Sequence, residues 1–290
     1  EYDSWSATLE VDDYMERYAN PAVDQLVNNI DSTGLSRMYL EVAKGVGTPD
    51  TVPNSNQTYT DAVTKLLEAA VPTPYIAMLS PDMQGQIANA NVALFNPAAQ
   101  IAAVFREGQF GAKALGIEKW FMDQNVPTHT VGALGGTPLV NGATQIGASI
   151  ICDGAGATAI TNYVSRGDRV NFASVFDINP LSRASTGRLK DFVVTANTDS
   201  IVTTGAVTIP ISPAIIIAGP FNTASAAAAN NDAVTIFGHA SSYASLTTPQ
   251  GMVYNKDAFA LVMADLILPR GLWVAERISN AKLGVSVRML

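Results

Sequence analysis

The sequence contains a single cysteine, Cys152, among 290 residues. One thiol cannot form an intrachain disulfide, and it cannot supply a thiolate-rich metal site. Cys152 follows Ile150 and Ile151 in an apolar run, where a small buried hydrophobic residue is expected. A nucleophilic cysteine would need a histidine partner in an exposed, electropositive setting, and the only histidines are His129 and His239. The shortage of thiols therefore argues against a disulfide framework and against cysteine-based catalysis.

Charged residues are also few, at 14% of the chain, and the formal net charge is -8. Binding nucleic acid over a broad face requires clustered lysine and arginine, whereas the 17 basic residues here are scattered. One local cluster, Arg183, Arg188 and Lys190, lies in a Ser/Gly-rich stretch and is interpreted as a solvated turn. Because 48% of the residues are hydrophobic, we expect much of the surface to meet protein.

Long hydrophobic runs are missing as well. The run Ala214 to Ala218 is short, and Asp265 interrupts the run from 258 to 268. Both are shorter than the roughly 20 residues that span a bilayer, so we expect no membrane partner. The first residues, EYDSW, include neither an initiator methionine nor a basic signal region, and we expect the start to be processed or incomplete.

The stretch FREGQFGAKALGIEKW, from Phe105 to Trp120, contains Gly108, Gly111 and Gly116. A phosphate-binding loop needs a strand before its glycines and a helix after them. Here a helical pattern precedes the glycines and an extended run, 117–125, follows. These glycines are therefore predicted to turn the chain into a sheet, because glycine adopts positive φ without steric cost.

Other residues that could carry chemistry lack the partners they would need. His129 lies in NVPTHTVG with no second metal ligand at short spacing, so it is interpreted as a structural histidine. No serine has a GxSxG context. We predict that the protein is not an enzyme and that it has no catalytic, cofactor-binding or metal-binding residues.

Helical periodicity dominates the first part of the chain. Apolar residues from Val11 to Ile30 form one stripe, with Asp12, Asp13, Glu16 and Arg17 on the other faces. A second helix is predicted from an N-cap at Thr58 or Thr60 to Ala70. Two short helices are predicted to begin at Ser80-Pro81 and at Asn96-Pro97, where a capping residue precedes proline.

From about Gly132 the composition is typical of β-structure. Predicted strands cover 144–152, 169–176, 191–196, 201–209 and 233–239. A helical stripe is predicted over 255–268, and a final strand pair, 273–278 with 283–289, is predicted to turn around Ser279-Asn280. The order indicates an α+β host with a small inserted β domain.

Several segments in this order resemble those of a known family. The helix DDYMERYANPAVDQLVNNID, the segment FREGQFGAKALGIEKWFMDQNVPTHTVG and the later segment GDRVNFASVFDINPLSRASTGRLKDFVVTA resemble the major capsid (coat) proteins of tailed bacteriophages. The likeness is closer to the coat family of short-tailed Salmonella phages. It spans nearly the whole chain.

The resemblance implies an α+β fold of the Hong Kong 97 type with an inserted immunoglobulin-like β domain. Its parts would be the end of an extended E-loop (1–11), a peripheral domain with a spine helix (12–44), an axial domain (45–131 and 234–271), the inserted domain (132–233) and peripheral-domain strands (272–290). Members of that family begin with an N-terminal arm and usually continue past the equivalent of Met289, so we expect segments to be missing at both ends.

The resemblance also implies a function without chemistry. The protein would be a major capsid protein of the virion, assembling in the host cytoplasm as hexamers and pentamers into an icosahedral shell around double-stranded DNA, without binding that DNA specifically. Scaffolding protein and portal would be its assembly partners. The residues expected at subunit interfaces are Trp5 and Leu9 as anchors, with Asp12, Asp13, Glu16 and Arg17 setting the register.

Two alternatives remain open from the sequence. The chain could form the shell of a cellular nanocompartment of the same fold. The β block could instead be a glycan-binding or enzymatic module, in which Tyr163, Asp168, Asp177 and Asn179 would line a site.

Overall fold

The structure is a computed structural model that describes residues 20–90, 114–201, 203–237, 244–262, 276–280 and 285–289. The chain divides into two compact units, one formed by residues 1–35 and 259–290 and the other by residues 36–258. In the described part of the chain, no helix is long and apolar enough to cross a membrane.

The first unit contains most of helix α1 (Asn20–Met38) and a strand pair, β14 (Glu276–Asn280) and β15 (Val285–Met289). The helical prediction is confirmed over 20–30, and its earlier part, 11–19, lies outside the described residues. The strand pair is antiparallel, as expected, but its ladder continues to Asn280, which pairs with Val285. The predicted turn at Ser279-Asn280 is therefore wrong.

The second unit opens with a single turn of 3-10 helix, Tyr39–Glu41, and then builds a small mixed sheet. The elements of this part are α2 (Asn56–Glu68), β1 (Tyr75–Leu79), α3 (Pro81–Ala90), β2 (Lys119–Met122) and β13 (Met252–Asn255). Strand β1 lies in the centre, parallel to β2 and antiparallel to β13. Its side chains alternate between buried and partly buried, because successive residues of a strand point to opposite faces.

Aromatic residues fill the core between this sheet and α2. The rings of Tyr59 and Trp120 meet edge to face, with centroids 5.4 Å apart. The buried residues of this core are Tyr59, Val63, Tyr75, Ala77, Leu79, Met83, Ile87, Ile117 and Trp120. Aromatic side chains bury a large apolar area, so Tyr59, Tyr75 and Trp120 contribute strongly to the stability of this small sheet.

The helix starts were predicted with mixed success. Helix α3 begins at Pro81 as expected, and Ser80 Oγ accepts a hydrogen bond from the backbone N–H of Met83 at 3.3 Å. Helix α2 begins earlier than predicted, because Ser55 supplies the cap and its Oγ accepts from Gln57 N at 3.1 Å. The capping prediction at Thr58 or Thr60 is therefore wrong. The helix expected at Asn96-Pro97 lies outside the described residues.

The turn prediction is confirmed at Gly116. This residue has φ +82° and lies in the tight reversal in which Ala114 pairs with Ile117, just before β2. A Cβ at this position would lie 3.2 Å from Val63 Cγ1, so the glycine also allows close packing on α2. Gly108 and Gly111 lie outside the described residues.

The β block is a barrel. Its strands are β4 (Leu139–Val140), β5 (Gly147–Asp153), β6 (Arg169–Phe172), β9 (Phe192–Val194), β10 (Val207–Ile215) and β11 (Val234–Ile236), and neighbours follow the order β11-β6-β9-β10-β5-β4. Strand β4, at one end of this order, also bonds to the residues just before β11, at the other end. Leu139 pairs with Ala233, and Val140 N donates to Asp232 O at 2.9 Å, so the sheet closes. The prediction of an immunoglobulin-like domain is therefore wrong, since that fold packs two separate sheets whereas this sheet closes on itself.

The barrel encloses one apolar core. Its fully buried members include Ile150, Cys152, Phe172, Phe192 and Ile209, and the rings of Phe172 and Phe192 lie 5.6 Å apart. Cys152 is a small buried hydrophobic residue here, as expected.

Two antiparallel strand pairs lie outside the barrel ladder. One joins β7 (Phe176–Ile178) to β8 (Ser185–Leu189), and the other pairs β3 (Thr128–Thr130) with β12 (Thr247–Pro249). The strand predicted over 201–209 begins only at Val207, because the chain turns at Thr203 and Gly205, both with positive φ.

The helix predicted from Asn255 is wrong for residues 255–262. Asn255 ends strand β13, and residues 256–262 are not helical. The Asn255 amide donates to the carbonyl oxygens of Pro72 and Pro74, at 2.7 and 3.2 Å, so tertiary hydrogen bonds override the helical pattern. The rest of the predicted helix lies outside the described residues.

Candidate functional site

The six residues predicted to contact other subunits, Trp5, Leu9, Asp12, Asp13, Glu16 and Arg17, all lie outside the described residues. A group of charged side chains lies within the second unit, where the barrel meets the segment that carries the mixed sheet. We call this contact zone the joint. Its charged members are Glu41, Lys44, Lys65 and Glu68 before the barrel, and Arg166, Asp168, Arg169, Asp177, Arg188, Lys190 and Asp191 in it.

Asp177 on β7 is the centre of the joint. Its Oδ2 accepts from Lys44 Nζ at 2.6 Å, and its Oδ1 accepts from Lys190 Nζ at 2.8 Å. Burial alone would raise the pKa of Asp177, but the hydrogen bonds from the two lysines outweigh that effect and lower the pKa below its ordinary value. The carboxylate is thus held ionised, and it links the chain before the barrel to the barrel itself.

Further ion pairs lie around this centre. Lys65 on α2 contacts Asp191 and also donates to Gly45 O at 2.7 Å. Glu68, at the end of the same helix, lies 3.1 Å from Arg188. One face of α2 is thereby held to the barrel by two cross-links of opposite polarity, a lysine to an aspartate and a glutamate to an arginine.

A buried histidine continues the joint toward β3. His129 Nε2 lies 2.7 Å from Asp168 Oδ1, and the Tyr39 hydroxyl lies 3.5 Å from His129 Nδ1. The second carboxylate oxygen of Asp168 accepts from the backbone N–H groups of Gly132 and Ser165, at 3.1 and 2.7 Å. His129 is buried, and its two ring nitrogens face Asp168 and Tyr39.

Arg169 lies against the backbone of Gly45, where an added Cβ would be only 2.4 Å from Arg169 Cδ. Burial lowers the pKa of Arg169, and the neighbouring Asp191 and Asp168 act in the opposite direction. Its Nη1 donates to Gln250 Oε1 at 3.4 Å, and its buried Nε has no hydrogen-bond partner among the described residues. A cavity of about 210 Å³ borders these side chains and the loop 46–53.

The residues of the alternative glycan or enzyme site do not converge. Tyr163 is fully buried and its hydroxyl donates to Gly135 O at 3.0 Å, while Asp168 and Asp177 are engaged as described above. The Asn179 side chain accepts from Leu181 N and Ser182 N in its own loop. Within the described residues, no group of three or more histidine, cysteine, aspartate or glutamate side chains could hold a metal ion. The joint is suited to fixing one part of the second unit to another.

Comparison with known families decides what kind of protein this is. The model of the family described as "P22 coat protein - gene protein 5" matches residues 4–290. The chain belongs to the P22 coat protein family. It is thus a phage coat protein, of a structural class that forms the capsid of the virion.

Two further comparisons of this coat protein with known proteins add little to the family assignment. A search of curated proteins found no match. Among solved structures, the chain is similar to the "CUS-3 coat protein I-domain", with 20% identity over 39% of this chain and 96% of that one, at a TM-score of 0.22. A TM-score this low carries no argument about the fold.

Sequence reasoning missed most of the joint of this coat protein. The basic cluster Arg183, Arg188 and Lys190 was interpreted as a solvated turn. Arg183 and Arg188 are exposed, but Lys190 is buried, so the interpretation is wrong for Lys190. Arg188 pairs with Glu68, and Lys190 is buried against Asp177. Nothing near Arg188 and Lys190 in the sequence identified their partners, Glu68 and Asp177.

Proposed function

We propose that this protein is the major capsid protein of a tailed bacteriophage and that it assembles into the icosahedral shell around the double-stranded DNA genome. The single observation that carries the proposal is the match of the P22 coat family over residues 4–290. The shell would consist of hexamers and pentamers of the Hong Kong 97 type, built with a scaffolding protein and a portal in the host cytoplasm. In that arrangement residues 12–44 would belong to the peripheral domain, and residues 45–131 and 234–271 to the axial domain.

Physical arguments support a purely structural role. A shell protein must hold its parts in fixed orientation, because a small error in one subunit is repeated in every copy. The joint provides such a fixation through Asp177, Lys65 and Glu68. A net charge of -8 also suits a container from which DNA must be released, since an acidic wall binds phosphates weakly.

Electron microscopy of the assembled protein tests the proposal. The full-length chain would be expressed with the scaffolding protein of its own genome and imaged by negative stain. We expect closed shells of uniform diameter, and we expect particles from infected cells to contain nuclease-protected DNA. A chain that stays monomeric at high concentration with scaffold present would contradict the proposal. Particles filled with protein and lacking DNA would point to a nanocompartment.

A further inference from the structure

Two large apolar side chains project from the barrel into solvent. Leu181, in the loop between β7 and β8, is 83% exposed, and Phe221, in the loop after β10, is 78% exposed. Three neighbouring isoleucines, Ile146, Ile216 and Ile217, are also exposed. We call these five residues the apolar cap.

The members of the apolar cap are brought together by contacts between three segments. Gly147 pairs with Ile215 across β5 and β10, which places Ile146 beside Ile216. Arg183 Nη1 donates to the backbone O and to the side-chain Oδ1 of Asn222, at 3.3 and 3.1 Å. That contact brings the tip that carries Leu181 against the loop that carries Phe221.

The loop of Phe221 is well supported by hydrogen bonds. Thr223 Oγ1 accepts from Ile216 N at 3.0 Å and donates to Ala214 O at 2.6 Å, while Thr223 N donates to Ile216 O at 2.7 Å. Phe221 is therefore presented by a defined hairpin. An aromatic side chain held in this way loses little conformational entropy when it is covered.

Charge also singles out this surface. The segments 142–151, 178–189 and 214–225 contain no aspartate or glutamate, and their only charged residues are Arg183 and Arg188. The whole chain has a net charge of -8, so the summed charges of two copies repel each other. The apolar cap, with Arg183 inside it, is a place where a second acidic copy can approach without that repulsion.

We propose that the apolar cap is a contact surface for a second copy of this chain in the assembled shell. The inference rests on the proposed function, because the shell supplies the second copy. Its size fits such a contact. Phe221 is the only aromatic member, and a fully buried aromatic side chain contributes roughly 150–250 Å². Together with four partly exposed aliphatic side chains the cap offers less than the roughly 800 Å² per partner of a stable pair. The cap would add a weak contact that is effective only when many copies are held together.

Assembly of variant proteins tests the proposal. In the double variant Leu181→Ser with Phe221→Ser, we expect the protein concentration needed to form shells to rise at least tenfold. The matched control is Ile201→Ser, which removes a side chain that is 62% exposed. That side chain lies at the opposite end of β5, where Gly154 N bonds to Thr204 O, so we expect it to leave assembly unchanged. Circular dichroism and the unfolding midpoint would establish that both variants fold as the parent does.

A labelling experiment gives a second readout that needs no loss of assembly. Cys152 is the single cysteine of the sequence and it is buried. A cysteine introduced by Phe221→Cys would therefore be the exposed thiol in the labelling experiment. We expect maleimide to label it at least tenfold more slowly in shells than in free subunits, whereas Ile201→Cys reacts at similar rates in both. Equal rates for Phe221→Cys would overturn the proposal. If the labelling of both thiols is slowed equally in shells, the shell itself keeps the reagent away from both sites. The concentration at which the double serine variant forms shells then decides between the outcomes.

The two proposals fail in different ways. If the parent chain forms no shells with its scaffold, the proposed function is wrong and this inference falls with it. If the parent and the double variant form shells at the same concentration, only the inference about the apolar cap is wrong.

Discussion

Lys190 Nζ lies 2.8 Å from Asp177 Oδ1 and 6.0 Å from the centroid of the Phe192 ring. The ammonium group is thus placed between a carboxylate and a core aromatic ring, and both Lys190 and Asp177 are buried. The same carboxylate also holds Lys44 from outside the barrel. One acidic group therefore compensates two lysines, one of which is buried in the barrel wall.

Replacing this carboxylate should destabilise the protein strongly. Asp177→Asn would leave Lys190 without a charged partner, and removing one member of a buried ion pair costs about 3–5 kcal/mol. We expect a loss of that order in the free energy of unfolding, measured with urea at pH 7. The matched control is Glu41→Gln, which breaks the exposed pair with Arg166 and should cost less than about 1 kcal/mol. Equal effects of the two substitutions would show that Asp177 is not the centre of the joint.

The same residue predicts how stability depends on pH. Its pKa in the folded protein lies below the ordinary value of 3.8, because the two lysine hydrogen bonds outweigh the effect of burial. The unfolded chain therefore binds more protons in the acidic range, and the stabilisation by Asp177 is complete above about pH 5 and is lost as the pH falls through the folded pKa. Urea unfolding between about pH 5 and pH 3 should show this loss. In Asp177→Asn the decline should be shallower, and an unchanged slope would contradict the assignment.

The close approach of Arg169 to Gly45 can be tested with alanine. Gly45→Ala would place a methyl group 2.4 Å from Arg169 Cδ and 2.9 Å from its Nε, and we expect a destabilisation of about 1–3 kcal/mol. Gly85→Ala is the matched control, because nothing lies within 4 Å of the added Cβ in helix α3. Alanine should stabilise that helix by up to about 1 kcal/mol. Thermal unfolding midpoints that shift in opposite directions would bear out both expectations.

The features that could be predicted from the sequence depend on neighbouring residues. Pro81 and Ser80 define a helix start by themselves, and Gly116 marks a turn because the pattern changes from helical to extended around it. The joint gave no such signal, since Lys44 and Asp177 are 133 residues apart. Closure of the barrel gave no local signal either, because the paired residues Leu139 and Ala233 stand at opposite ends of the β block in the sequence. Charge pairs and sheet closure of this kind depend on tertiary distance, which composition and periodicity do not contain.

Cys152 gives a probe of barrel opening. Its side chain is fully buried in the barrel core, and burial, with a smaller contribution from Asp153, raises the pKa of the thiol to about 12. Because the thiolate is the reactive form, we expect a thiol reagent at pH 8 to label the folded protein at least a hundredfold more slowly than the urea-unfolded chain. The labelling rate should increase in Asp177→Asn if the joint supports the barrel, and it should stay at the parent value in Glu41→Gln. Rapid labelling of the folded parent protein would show that the barrel core opens readily. In that case Cys152 would also react during the labelling of Phe221→Cys and would have to be replaced first.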